Sequence, residues 1–153
     1  MVNYIEALQS YSGDEVSLFL AGGITGCPDW QQEMIRALKF TSLVLFNPRR
    51  TNFPIEDKNA ARDQISWEFT YMRKATAISF WFPCETLCPI ALYELGAWSM
   101  RTKKIFVGVH PSYERRQDVL IQTALVRPDV QIVSTLTDLA HEIMAWSQPE
   151  RRT

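Results

Sequence analysis

The sequence predicts an α/β fold: a doubly wound parallel sheet of five strands, with helices on both faces, in a single domain spanning residues 1–153. Short apolar runs rich in β-branched and aromatic residues alternate with helix-length runs throughout the chain. Parallel neighbours need a crossover long enough to hold a helix, and each gap between apolar runs provides one. No internal repeat and no Pro-, Gly- or Ser-rich linker divides the 153 residues, a length that buries a sizeable core as one unit.

The first strand is "VSLFLAG", residues Val16–Gly22, followed directly by a second glycine. Pro28-Asp29 then opens a helix over "DWQQEMIRALKF", with Trp30, Met34, Ala37 and Leu38 expected on its buried face. "SLVLFNP" is the second strand, closed by Asn47-Pro48. The polar stretch "RTNFPIEDKNAARDQ" reads as a loop. "QISWEFTYMRKA" reads as a helix with Ile65, Phe69 and Met72 on one side. "TAISFWF", "KKIFVGV" and "VQIV" supply three more strands, and "PIALYELGAWSM", "RQDVLIQTAL" and "TDLAHEIMAW" three more helices. Right-handed crossovers place those helices on both faces, a flavodoxin- or Rossmann-like arrangement.

Composition narrows the function. Hydrophobic residues at 46% and charged ones at 22% are ordinary for a soluble globular protein. A formal net charge of −1 gives no electrostatic reason to expect nucleic acid or an anionic membrane as partner. No apolar run is long enough to span a bilayer, and "MVNYIEALQSYSGDE" lacks the pattern of a signal peptide, so a cytoplasmic location is expected. Three cysteines, an odd number, argue against a secreted disulfide framework. Cys84 and Cys88 have only His110 and His141 as imidazole partners, at no zinc-site spacing, so no metal is expected. Five tryptophans are many for this length. Trp30, Trp67 and Trp81 stand beside polar residues, either as core or as walls for a flat ligand.

Doubly wound sheets bind ligands beyond the carboxyl ends of their strands, where the strand order reverses. The segments there are "AGGITG", "NPRR", "WFPCETLCP" and "VHPSYERR". The first lets backbone approach a ligand, or is simply a tight turn. It matches neither GxGxxG nor the P-loop, so no NAD, ATP or other cofactor is expected. Asn47 offers a polar contact or forms an Asn-Pro turn. Tyr113, Arg115 and Arg116 border the cleft or a subunit interface, or lie in a solvated loop.

Glu94 is the residue that asks for an explanation. In "PIALYELGAW" it sits in the second helical turn after Pro89, among Ile90, Ala91, Leu92 and Leu95. A carboxylate there is either solvated on an outer face or a costly acid kept for chemistry. Glu68, in "SWEF", is a second acid on the preceding helix, and two convergent carboxylates suit glycosidic chemistry. Its plainer reading is a surface ion pair with Arg62 or Arg73. Trp67 beside it stacks on a base or belongs to the core. Cys88, just before the helix, is a reactive thiolate or a small buried residue.

Taken in order, "LFLAGGITG", "NPRR", "WE" and "CPIALYELG" resemble the nucleoside 2-deoxyribosyltransferase-like family, which also includes deoxynucleoside 5′-monophosphate N-glycosidases. The resemblance runs from Val16 to the final helix. It implies that Glu94 attacks the anomeric carbon of a (deoxy)nucleoside or nucleotide, expels the base and forms a glycosyl-enzyme intermediate. A second base or water then takes the sugar. Glu68 is implied to assist at the base or sugar, as glutamate where relatives often have aspartate. Gly22, Gly23, Ile24 and Thr25 are implied to line the substrate cleft, with Asn47, Arg49, Trp67, Cys88 and Pro89 as further substrate-binding candidates.

Two departures shape the expectation. Thr25 stands where nucleotide-cleaving relatives tend to carry arginine, which favours a nucleoside unless Arg49 or Arg50 supplies the cation. Cys88 stands where transferases often have aspartate and nucleotide hydrolases serine, and a thiol is a poor hydrogen-bonding group. The alternative is therefore a catalytically weak module that senses a nucleotide in the same cleft. Relatives often complete the site with a neighbouring chain, which implies a homo-oligomer.

Overall fold

The computed structural model describes residues 3–51 and 57–151. Six strands form one all-parallel sheet: β1 (Asn3–Glu6), β2 (Ser17–Gly22), β3 (Val44–Asn47), β4 (Ala77–Phe82), β5 (Lys104–Val109) and β6 (Ile132–Val133). Their order is β1-β3-β2-β4-β5-β6. Five helices cover it: α1 (Trp30–Ala37), α2 (Ala60–Lys74), α3 (Pro89–Ser99), α4 (Arg116–Val126) and α5 (Leu136–Ser147), followed by a 3₁₀ turn at Pro149–Arg151.

The expected five strands are thus six. The extra one, "NYIE", pairs along β3 from Asn3↔Val44 to Glu6↔Asn47. It is four residues at a sheet edge with two exposed positions, too short to show alternation. The loop expected over residues 50–64 is also shorter than read. Residues 52–56 lie outside the described ones, and α2 already begins at Ala60, where Ala60 N–H bonds to the Asp57 carbonyl. Its first turn is polar, so the apolar period starts later than the helix.

The central strands are buried at nearly every position, and successive side chains point to opposite faces of the sheet. Phe19, Ile78, Phe80, Phe82 and Val107 pack under α2, α3 and α4. Leu18, Leu20, Trp81 and Phe106 pack with α1 and α5 on the other side. The chosen helix faces differ in part from expectation. On α2 the sheet takes Ala60, Trp67, Tyr71 and Met72, while Ile65 and Phe69 are exposed. Two apolar stripes compete there, and the stripe holding the larger aromatic rings is the one buried. On α1 the buried residues are Trp30, Gln31, Met34 and Ile35, and Ala37 faces outward.

From β2 the chain moves to β3 on one side and then returns across β2 to β4 on the other. The order reverses between β2 and β4, whose last residues pair as Gly22↔Trp81. The crossovers β3→β4 and β4→β5 move in the same direction across the sheet, so α2 and α3 lie on the same face, and α1, from the opposite move β2→β3, lies on the other. No helix among the described residues is long and apolar enough to cross a membrane.

The end of α2 is held from outside. Lys103 Nζ donates to the carbonyls of Met72, Arg73 and Ala75 at 2.8, 2.7 and 2.6 Å, satisfying acceptors that the helix itself leaves open. Lys103→Met, which keeps the stem and removes the charge, is expected to lower stability by about 2 kcal/mol in urea unfolding. An unchanged midpoint would show that water serves those carbonyls equally well.

Candidate functional site

The turn after β2 is built on close approach. A Cβ at Gly22 would fall on the Trp81 carbonyl oxygen and 2.7 Å from the Trp30 ring, and one at Gly23 would meet Cys88 Sγ at 2.8 Å. Only glycine lets this turn lie against β4 and the start of α3. The Gly23 carbonyl accepts from Trp30 Nε1 at 2.7 Å and from Gln31 Nε2 at 3.4 Å. Ile24 is half-buried and Thr25 exposed beyond it.

Arg49 fastens this turn to the end of β3. Its Nε donates to Gln31 Oε1 at 3.0 Å, its Nη2 to the Pro28 carbonyl at 3.0 Å and to Cys27 Sγ at 3.5 Å, and it pairs with Asp29 at 3.4 Å. Asn47 is buried, and its Oδ1 accepts from the Arg49 amide at 3.0 Å, an Asx turn. Both residues shape the cleft wall through protein contacts of their own.

Glu68 on α2 and Glu94 on α3 are both half-buried. Burial, and after it the charge of Glu68, push the Glu94 carboxyl up to about 8. Glu68 is also raised by burial, against a hydrogen bond from Gln64 Nε2 at 2.8 Å that favours its charged form. The charge of Glu68 thus acts on Glu94 across the gap between α2 and α3. Glu68 makes no ion pair with Arg62 or Arg73 among the described residues; its partner is Gln64. Gln64 was absent from the sequence reading, although its i,i+4 spacing to Glu68 puts both on one helix face.

Cys88 precedes α3 in the left-handed region, with φ 51°, and Pro89 follows at the first helical position with its ring exposed. The thiol is 5% exposed, and burial first, then Cys27 and Glu85, push it up to about 12. It is a neutral buried group, so the reactive-thiolate reading fails.

Trp30, Trp67 and Trp81 are all buried. Trp67 is 7% exposed, stacks on Tyr71 at 4.6 Å between ring centres, and gives its indole N–H to the Gln9 carbonyl at 2.8 Å. Trp30 and Trp81 are buried with the α1 and α5 core. Tyr113 is buried as well, its hydroxyl donating to the Leu87 carbonyl at 2.6 Å and steadying the loop before α3. Arg116 donates to the Val109 carbonyl and Ser134 Oγ, and Arg115 pairs with Asp118 on the surface. Neither reaches the carboxylate pair through these contacts.

A family profile described as "Nucleoside 2-deoxyribosyltransferase like" matches residues 15–113. The matched span begins just before β2, ends at Tyr113 and contains the glycine turn, Glu68 and Glu94. No curated protein matches the chain.

The raised Glu94 carboxyl makes stability depend on pH with a definite sign. Folded, it holds its proton to about 8; unfolded, it releases it near 4.5. Between those values the folded state binds more protons, so stability falls as pH rises, at up to ~1.4 kcal/mol per unit for this group. Glu94→Gln removes the term. The variant is expected to unfold at higher urea than the parent at pH 9 and to approach it at pH 4.5; parallel profiles would contradict the assignment.

Proposed function

The chain belongs to the nucleoside 2-deoxyribosyltransferase-like family, and from that premise we propose that it cleaves or transfers at the N-glycosidic bond of a (deoxy)nucleoside or nucleotide. The observation that supports the reading is that Glu68 and Glu94 are half-buried acids on neighbouring helices, the charge of one raising the other. Two acids with one proton between them match the demands of this chemistry. Ionised Glu94 attacks C1′ and forms an ester bond to the sugar. The C1′–N bond breaks, its electron pair goes to the base nitrogen, and the shared proton, passed through Glu68, completes the free base. For transfer, an incoming base gives its proton to Glu68 as its nitrogen displaces Glu94. For hydrolysis, water does the same.

Thr25 is exposed, and Arg49 is held by Gln31, Pro28 and Asp29, which favours a nucleoside over a 5′-phosphate. A second reading has its own support. Cys88 is a neutral thiol where the family pattern implies aspartate or serine, which fits a weakly catalytic module that senses a nucleotide.

A second copy of the chain is the partner that the surface favours. On α2, α3 and α4 the outer side exposes Ile65, Phe69, Ile90, Tyr93, Met100 and Leu125, with Tyr93 at 79%. The outer sides of α1 and α5 instead carry Glu33, Arg36, Asp138 and His141. At ~60–120 Å² per side chain, six such residues contribute several hundred Å² towards the ~800 Å² per partner of a standard interface. A net charge of −1 opposes self-association little. A groove of about 410 Å³ between α3 and α4, beside Gly96, Ser99 and Gln122, gives this face relief for isologous packing. Glu68 and Glu94 lie on two of these three helices, α2 and α3, so a second copy on this face would also shield them from water.

Incubation with each deoxynucleoside and deoxynucleotide, with and without an acceptor base, tests the reaction by chromatography of released base. Exchange only with acceptor indicates a transferase, and release without it a hydrolase. Glu94→Ala is expected to cut turnover at least 10³-fold with the fold intact; near-normal rates would remove the nucleophile, and binding without turnover in the parent would leave the sensor. Sedimentation is expected to give a dimer or larger assembly that Tyr93→Asp dissociates. A parent that stays monomeric at high concentration would overturn the interface.

A further inference from the structure

Gln64 sits half-buried on α2, one helical turn before Glu68. Its Nε2 donates to the Pro48 carbonyl at 2.7 Å and to Glu68 Oε1 at 2.8 Å. The Pro48 carbonyl can only accept, so the atom facing it must be the nitrogen and not the oxygen of the amide. That fixes which end of the amide faces Glu68. Turned the other way, the amide would set oxygen against oxygen at both contacts. The fixed orientation leaves Gln64 Oε1 buried with no partner among the described residues, an arrangement that costs stability and calls for a reason.

We propose that Gln64 is a positioning residue: it ties the Glu68 carboxyl to the backbone at the end of β3 and thereby assigns the acceptor role to Glu68 and the proton of the pair to Glu94. The inference rests on the reading of these acids as the reacting pair. Pro48 follows the last residue of β3, so the tether references Glu68 to the sheet edge where the ligand binds. One carboxyl oxygen is occupied by the amide, which leaves Oε2 for substrate or for the proton in transit.

The electrostatic surroundings agree. Among the described residues, no charged group from α1, α4 or the strand ends acts appreciably on either acid. Glu94 from α3 feels burial and Glu68, and Glu68 from α2 feels burial and the Gln64 amide. The Gln64 hydrogen bond favours the charged form of Glu68, while no such bond to Glu94 is among its causes, and this difference tips the balance between the two. Ordered protonation suits the reaction, because the resting proton then lies on the nucleophile, must leave it before attack, and is available to the departing base.

Gln64→Met keeps the length of the side chain and removes the amide. Carboxyl resonances of ¹³C-labelled glutamate, assigned with Glu68→Gln and Glu94→Gln, report each titration without turnover. In Gln64→Met the Glu68 midpoint is expected to rise by about one unit, the worth of one hydrogen bond to a carboxylate, and the Glu94 midpoint to fall. Both midpoints within about 0.2 units of the parent in a folded variant would overturn the proposal. Should the variant not fold, the parent serves: the Gln64 side-chain NH₂ resonance is expected to shift with the Glu68 titration, and an amide blind to it would overturn the proposal equally. The readouts separate the two readings. Shifted titrations in a protein that cleaves no nucleoside leave the tether standing and remove the reaction, whereas cleavage with unshifted titrations removes the tether alone.

Discussion

Two half-buried carboxyls on neighbouring helices, the charge of one acting on the other, constrain everything else about this site. Water would separate and solvate such a pair. Here Glu68 and Glu94 are fixed on neighbouring helices whose other faces are anchored in a common core. Like charges at low dielectric raise each other's affinity for a proton, and the Glu94 carboxyl is pushed up accordingly. That raised affinity is the physical basis for the proposal that a bond to nitrogen is broken here and a base leaves protonated.

The sheet makes the pairing possible. Parallel strands return the chain to the same edge after every crossover, so helices far apart in sequence lie side by side. α2 and α3 flank β4 in the chain, and the reversal of strand order between β2 and β4 opens the space beside the glycine turn. Gly22 and Gly23 let that turn press against β4 and Cys88, while Arg49, Asn47 and Gln31 lock it from the β3 side. The turn is thus held by hydrogen bonds from two sides, the positioning that the proposed reaction needs.

The α/β architecture was legible because short continuous apolar runs alternate with helix-length runs from Val16 onward. The edge strand Asn3–Glu6 was not, since four residues with exposed ends carry no period. On α2 the sequence offers two apolar stripes, and packing against the sheet, which a single helix does not encode, decided for Trp67 and Tyr71. That same decision moved Trp67 from the cleft into the core. Glu94 was readable as an acid in an apolar helix, and Glu68 as its companion, because charge in such a setting is costly. Gln64 was hidden because its role depends on the Pro48 carbonyl, sixteen residues away, which only the folded chain brings within reach. Asn47 and Arg49 look polar and available in sequence, yet folding commits them to the turn.

The central claim is that Glu94 bonds to the sugar. Incubation of the protein with a deoxynucleoside, followed by acid quench and mass spectrometry of the intact chain and its peptides, tests it directly. The account expects a deoxyribosyl mass increment on the peptide carrying Glu94, absent in Glu94→Gln and discharged by an acceptor base or by water. Turnover with the increment on another residue, or with none under rapid quench, would contradict it.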